Sequence, residues 1–330
     1  MKSTINWGIL GPGRIATKFA TDLVNLPEAN LLAVGSRSKA RANKFAQTFG
    51  IARSYGNYDK LVTDPDVDVI YVATPHTFHK EHTLLCLQNN KAVLCEKPMA
   101  MNEGQLREMV ELARKKNLFL MEGMWTRFLP VIQQVKDWLR KKTIGDVRIL
   151  SSDFGFRTGW NPQDRLLNPN LAGGALLDVG VYTVALTYMV YGDSPRQVIA
   201  DAYIGETGVD EQTAMLLRYD DGALALLFCS IRTNTPQEAR ILGTLGSIHI
   251  PGFWHTTSAV LQIEGKDPVK NSGEAGYHFE AAEVMSCLKA GKNESSRMPL
   301  DESLAVVQTM DRVRALIGLT YPIEKKVEYK

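Results

Sequence analysis

Asn6-Trp7-Gly8-Ile9-Leu10-Gly11-Pro12-Gly13-Arg14-Ile15-Ala16 is the stretch whose reading decides the fold. Asn6 to Leu10 reads as a strand, Gly11-Pro12-Gly13 breaks it, and a helical pattern then runs to about Leu26. The run fits G-x-G-x-x-A at the place where that pattern has a mechanical meaning, directly after a strand and opening a helix. Gly11 permits a tight turn, Gly13 lets the backbone approach a pyrophosphate, and Ala16 lets the helix lie close on the strand. The N–H groups at the helix start, from Arg14 and Ile15 onward, would then meet the anion together with the positive end of the helix dipole. Alone, the pattern is equally an ordinary glycine turn; its place inside a β-α-β unit makes it a dinucleotide fingerprint.

Outward from this turn the same rhythm continues. Leu31 to Gly35, Val67 to Ala73, Ala92 to Cys95 and Leu118 to Met121 read as strands. Lys39 to Phe49, Lys80 to Gln88 and Glu103 to Lys115 read as helices. Strands that alternate with helices imply a doubly wound parallel sheet, here of the Rossmann type. After about residue 123 the rhythm changes. Asp146 to Phe156, Gln197 to Ile204, Thr213 to Tyr219, Ala223 to Cys229, Ala239 to Leu242, Ser247 to Ile250 and Ala259 to Ile263 read as strands, with Asp220-Asp221-Gly222 as a hairpin turn. Helical patterns cover Gly174 to Met189, Phe279 to Ala290 and Glu302 to Ile317. The expectation is an α/β protein: a Rossmann domain over residues 1–123, then an α/β domain over 124–330 with a large, mostly antiparallel open sheet.

Composition bounds the function. A chain of 330 residues with 45% hydrophobic residues can build two cores. Thirty-eight basic against 36 acidic side chains gives no reason to expect a nucleic-acid partner, and Arg140-Lys141-Lys142 reads as a solvated helix end. The start of the chain shows no signal-peptide pattern, and no continuous apolar run is long enough to span a bilayer, so no membrane partner is expected. Four cysteines, Cys86, Cys95, Cys229 and Cys287, form no C-x-x-C pair and read as free thiols of a cytoplasmic protein.

The end of the second strand discriminates between nicotinamide dinucleotides. A carboxylate there would bond the ribose 2′-hydroxyl of NAD. This chain has Gly35-Ser36-Arg37-Ser38, in which Ser36, Arg37 and Ser38 suit a 2′-phosphate, so NADP(H) is expected; the competing reading is a surface arginine and tolerance of both cofactors. Thr74-Pro75-His76-Thr77-Phe78-His79 ends another central strand and reads as a loop over the nicotinamide, with His79 shaping the pocket and His82 either nearby or on a helix surface. No cysteine or carboxylate beyond Glu81 supports a metal reading of these histidines. Cys95-Glu96-Lys97-Pro98 follows a buried strand, which puts Lys97 at the ligand crevice as an acid or base, unless it is a plain surface lysine. Asp178 and Tyr182 lie four apart on one helix face within an apolar run. The carboxylate needs a partner, for which Lys97 is available, and Tyr182 is either a proton donor and acceptor or a core aromatic. Trp125, Arg127, Phe154 and Arg157 read as a substrate-stacking wall or as packing between domains.

Together, Gly11-x-Gly13-x-x-Ala16, Thr74-Pro75-x-x-x-His79, Glu96-Lys97-Pro98 and Asp178-x-x-x-Tyr182 resemble the glucose–fructose oxidoreductase/inositol dehydrogenase family (Gfo/Idh/MocA) over essentially the whole chain. Within it, the runs Met121 to Phe128 and Ala172 to Tyr182 look most like the dimeric trans-1,2-dihydrodiol dehydrogenase branch, whose members use NADP and also oxidise sugars such as D-xylose. The resemblance implies hydride transfer between NADP(H) and a sugar or trans-dihydrodiol, a homodimer built through the second sheet, and proton chemistry at Lys97 and Tyr182 with Asp178 orienting Lys97. Many members carry histidine where this chain has Tyr182, which points away from inositol dehydrogenases and leaves the general base open between Tyr182 and Lys97. The rivals are an NADPH-dependent keto-sugar or dicarbonyl reductase using the same groups, and a non-catalytic NADP-sensing regulator.

Overall fold

The computed structural model describes residues 4–325. Its first sheet has six strands: β1 (Ile5–Leu10), β2 (Ala29–Gly35), β3 (Arg53–Tyr55), β4 (Val69–Val72), β5 (Ala92–Glu96) and β6 (Leu120–Gly123). Their order is β3-β2-β1-β4-β5-β6, and every pair is parallel. Strand order reverses between β1 and β4, so the C-terminal ends of these two strands open the crevice in which doubly wound sheets bind ligands. β4 and β5 are buried along their whole length, as their unbroken apolar runs require. Trp7, Phe19 and Tyr71 fill the centre, with Phe19 stacked on Tyr71 at 4.0 Å and Trp7 tilted against Phe19 at 5.4 Å.

The second sheet has eight strands: β7 (Val147–Gly155), β8 (Gln197–Ile204), β9 (Asp210–Arg218), β10 (Leu224–Ser230), β11 (Ala239–Gly243), β12 (Gly246–Ile250), β13 (Ser258–Ile263) and β14 (Val269–Ser272). The order is β14-β13-β12-β11-β7-β10-β9-β8, antiparallel throughout except for the parallel β7–β10 pair. Asp220-Asp221-Gly222 is the expected hairpin turn, with Gly222 at φ +83°. Burial alternates along β9, β10 and β11, so one face carries Met215, Leu217, Ala225, Leu227 and Ile241 inward while the other faces out. The helix Val181–Tyr191 covers the inner face against β7 and β10. The apolar stretch Pro169–Tyr191 is long enough to cross a bilayer, but 89% of its most apolar window is buried, which marks it as a core helix.

The chain forms two compact units. The first runs to Phe128 and includes Gly276–Leu304; the second is Leu129–Ala275 with the stretch from Ala305 onward. A single boundary after Gly123 places residues 276–304 with the second sheet, whereas the helix His278–Lys289 lies against the helix Arg14–Leu23 and the turn Trp125–Phe128 of the first unit. The reading of Arg140-Lys141-Lys142 as a helix end agrees with the helix Pro130–Arg140.

Candidate active site

In the first unit, the loops that leave β1, β2, β4 and β5 carry the residues singled out for the dinucleotide. Gly11 has φ +94°, and a Cβ there would lie 2.8 Å from the Thr74 side chain, so only glycine fits the turn. Gly13 precedes the helix Arg14–Leu23, and a Cβ at this position meets only the Ala73 carbonyl at 4.0 Å, so the space above its backbone is open and a side chain would fill it. No side chain caps that helix and no acidic residue lies in its first turn, which leaves its N-terminus to an anion. Ala16 is fully buried against the sheet. This geometry fits a dinucleotide pyrophosphate.

At the end of β2, Ser36 is buried and its Oγ accepts from the Ser38 N–H at 3.2 Å, while Ser38 Oγ caps the helix Lys39–Phe49 by accepting from Arg41 N–H at 3.4 Å. Both hydroxyls keep a proton to donate. Arg37 is exposed, with its guanidinium 5.8 Å from the Phe78 ring. It lines a cleft of about 640 Å³ together with Tyr58 and His82.

The histidines tie loops together. His79 is buried; its Nδ1 lies 2.9 Å from the Pro98 carbonyl and its Nε2 2.8 Å from the Thr74 carbonyl. Burial, reinforced by His76, pulls its pKa down to about 3 against the two carbonyls, so the ring is neutral; its one N–H donates to one of these carbonyls while the ring packs between the loops after β4 and β5. His76 is buried beside it, the rings 6.4 Å apart. His82 is buried too, which corrects its reading as a helix-surface residue: Nδ1 lies 3.0 Å from Thr74 Oγ1, and the ring stacks on Phe78 and meets the edge of Tyr58. Among the described residues no cluster of His, Cys, Asp or Glu suits a metal ion.

Lys97 follows the C-terminal end of β5, as its motif required, and the Lys97–Pro98 peptide is cis. Its backbone N–H donates to Glu96 Oε2 at 3.1 Å, and Glu96 Oε1 accepts from the Tyr71 hydroxyl. Trp125 is buried and stacked on Tyr277 at 4.6 Å. Arg127 is 4% exposed and ion-paired with Glu302. Its charge therefore has a protein partner in the same unit.

In the second unit, Asp178 and Tyr182 sit where a π-helical turn, Leu176–Gly180, runs into the α-helix Val181–Tyr191. Their helical pattern suggested an α-helix throughout; such π turns are rare and recur at functional sites. Arg165 Nη1 donates to Asp178 Oδ1 at 2.7 Å, so the partner the carboxylate needed is supplied from its own unit by a loop arginine. Arg165 also lies near enough to Tyr182 for their charges to interact. The Tyr182 ring stands 5.4 Å from Phe154, and Phe154 stacks on Trp254 at 4.7 Å and 15°. Gln237 Oε1 accepts from Trp254 Nε1 at 2.8 Å and fixes that ring. Phe154 thus lies in a cluster of rings with Tyr182 and Trp254. The Arg157 side chain is exposed, and its backbone N–H donates to Asn234 Oδ1. Arg165 and Trp254 escaped the sequence reading. The unpaired demand of Asp178 was the signal for the first, and the aromatic run Phe253-Trp254-His255 after β12 was the signal for the second.

A glycine cradle, an uncapped helix and a lysine at the end of β5 define a nicotinamide-dependent oxidoreductase, and the comparisons agree. The profile of the oxidoreductase family with an NAD-binding Rossmann fold (GFO/IDH/MocA) matches residues 5–124, and that of the GFO/IDH/MocA C-terminal domain matches residues 132–249. The chain belongs to the GFO/IDH/MocA oxidoreductase family. It is 41% identical to the trans-1,2-dihydrobenzene-1,2-diol dehydrogenase of Mus musculus, covering 98% of this chain and 99% of the relative. It is 40% identical to the enzyme of the same name from Xenopus tropicalis, covering 96% and 99%. Among solved structures, a 3-ketoreductase from Actinomadura kijaniata in complex with NADP and TDP-benzene superposes with a TM-score of 0.84 at 25% identity, covering 95% of this chain and 98% of that one. The aldose-aldose oxidoreductase from Caulobacter crescentus superposes with a TM-score of 0.86 at 24% identity over 95% and 97%, and shows the fold.

Proposed function

We propose that this chain is an NADP(H)-dependent dehydrogenase that moves a hydride between nicotinamide and a hydroxyl-bearing carbon of a trans-dihydrodiol or a sugar. The observation that carries the reading is the placement of Tyr182, between the Arg165–Asp178 ion pair and the stacked rings of Phe154 and Trp254. Gly11, Gly13 and the N–H groups of Arg14 and Ile15 would hold the pyrophosphate, and Arg37 with Ser36 and Ser38 the 2′-phosphate. Thr74, Pro75 and His76 line the loop after β4, and His79 positions the turn at Lys97. The bound nicotinamide supplies the hydride acceptor or donor.

The protein supplies the proton. In oxidation, the substrate hydroxyl gives its proton to Tyr182 Oη or Lys97 Nζ as the hydride leaves the same carbon; reduction reverses both movements. A tyrosine works as a base near neutrality only beside a cation, and Arg165 is that cation, held by Asp178. Asp178 holds Arg165 in this place. Phe154 and Trp254 offer flat apolar faces to a ring substrate and keep water from the reacting carbon. The relatives named as dihydrodiol dehydrogenases support this substrate class.

We further propose a cytoplasmic homodimer. Four buried, free cysteines suit a reducing compartment, and the outer face of the second sheet is apolar. The deciding experiment measures initial rates of NADP reduction on trans-dihydrodiols, pentoses, hexoses and cyclitols, with NAD in parallel. Turnover with NADP on a dihydrodiol or pentose is expected. Tight NADPH binding without turnover in either direction overturns the enzyme reading in favour of a regulator.

A further inference from the structure

The first unit buries three glutamates, Glu96, Glu122 and Glu280. Glu280, on the helix His278–Lys289, is 0% exposed, and neither of its carboxyl oxygens has a hydrogen-bond partner. Gly123 shows where it points. A Cβ built on Gly123 would lie 3.5 Å from the Glu96 Cα and 3.6 Å from Glu280 Oε2, so the Glu280 carboxyl reaches the space that this glycine leaves beside the Glu96 backbone. Glu96 is itself buried and accepts from the Tyr71 hydroxyl and the Lys97 N–H.

The groups around the pair can be named element by element. Asp22, on the helix Arg14–Leu23, accepts from Tyr277 N–H at 2.6 Å and lies 3.9 Å from His278. Tyr71 comes from β4, and Glu96 with Lys97 from the end of β5. Glu122, on β6, accepts from Met99 N–H at 3.0 Å. Arg127 is ion-paired with Glu302. Tyr277 is stacked on Trp125. The carboxyl of Glu280 is held well above the usual range by burial first, then by Glu96 and Asp22. Glu96 is raised by burial, against the pull of Tyr71 and Lys97. Two carboxyl groups in one buried region disfavour each other's ionisation, so they give up their protons in two steps that belong to the pair.

We propose that Glu280 is a positioning residue for Lys97: it stands as a neutral carboxylic acid against Glu96, and the acid–carboxylate pair sets the charge that Lys97 meets. Below the point where Glu280 ionises, the Glu96–Glu280 pair carries one negative charge; above it, the pair carries two, and Lys97, next to Glu96, holds its proton more tightly. The pair therefore ties the proton affinity of Lys97 to a second buried titration. This rests on the proposed role of Lys97 in turnover.

Three variants test it. Glu280→Gln keeps the shape of the neutral acid and removes the titration. The infrared difference between the parent enzyme and Glu280→Gln at neutral pH is expected to show a protonated-carboxyl band that shifts in D2O. In the direction of carbonyl reduction, where Lys97 gives its proton, the alkaline limb of the kcat/KM profile is expected to move down by about one pH unit, as for a unit charge several ångströms away in a protein interior. Glu96→Gln is expected to move the limb in the same direction and further, and carries the test if Glu280→Gln does not fold. A difference spectrum without the carboxyl band overturns the proposal, as does an unmoved limb accompanied only by a lower melting temperature. Lys97→Met, run in parallel, separates the two readings. If it retains turnover, the role of Lys97 fails; if it loses turnover while the Glu280→Gln profile stays in place, only the role of Glu280 fails.

Discussion

At the residue scale, the chemistry was legible where a motif sits on a strand end. Gly11, Gly13 and Lys97 could be placed because short strands point their C-terminal loops at one crevice. Arg165 and Trp254 could not, because they lie outside regular strands and α-helices and are brought to Tyr182 by tertiary packing that leaves no periodic trace. Position alone could not show that Arg127 is buried and ion-paired with Glu302, or that the Arg157 side chain is exposed. Two predictions belong here. Lys97→Met is expected to lower kcat by about 10²-fold or more, the scale of a lost general acid or base, while NADPH still quenches protein fluorescence with its original affinity. Arg37→Ala is expected to raise the KM for NADP by roughly 10- to 100-fold, as for loss of a charge-assisted phosphate contact, and to leave the KM for NAD nearly unchanged. Equal loss with both cofactors would remove Arg37 from 2′-phosphate recognition.

At the element scale, the helix that carries Tyr182 depends on a carboxylate and a glycine. Asp210 is fully buried at the start of β9; its Oδ2 accepts from Leu176 N–H at 2.7 Å and from the Thr213 hydroxyl at 2.8 Å, which caps the π turn. Gly174 has φ +123°, and a Cβ there would lie 2.0 Å from Asp210 Oδ1. Gly174→Ala is therefore expected to cost roughly 1–3 kcal/mol or more and to lower the melting temperature by several degrees. Burial pushes the Asp210 pKa up to about 7, against the Thr213 and Leu176 hydrogen bonds. The folded state thus keeps a proton that the unfolded chain releases, so the contribution of Asp210 to stability falls as pH rises from the ordinary carboxyl range towards about 7 and is level above it. The melting temperature of Asp210→Asn should fall less than that of the parent between about pH 5 and pH 8, and parallel curves would contradict this. The strands that sequence reading missed have a common cause. Arg53–Tyr55 is three residues long and half-buried throughout, and Val269–Ser272 is largely polar, so neither carries an apolar alternation. The return of residues 276–304 to the first unit was invisible because helix periodicity shows which face is buried, not against what.

At the scale of the whole molecule, the question is what covers the outer face of the second sheet. Register puts Ile199, Leu216 and Leu226 side by side across β8, β9 and β10, and Phe228 and Leu242 face the same way on β10 and β11. Leu226 is 46% exposed and Phe228 41%, in the middle of the sheet rather than at an edge. A contiguous apolar patch of this kind marks an interaction surface more often than a solvated one. A net charge of only +2 on 330 residues offers little electrostatic resistance to self-association. A second copy would meet the same stripe with itself, because a two-fold interface is self-complementary, and the arginines around the stripe, Arg218 and Arg240, would lie towards the polar rim. Phe228→Glu and Leu226→Glu are therefore expected to convert a dimer into a monomer in sedimentation velocity at micromolar protein. The secondary structure should be retained, because both side chains point away from the core. A parent protein that sediments as a monomer at that concentration, or glutamate variants that remain dimeric, would show that some other surface is used. If dissociation also lowers kcat while NADPH affinity stays constant, the sheet supports the Phe154–Tyr182 wall, since β7 carries Phe154 and pairs directly with β10.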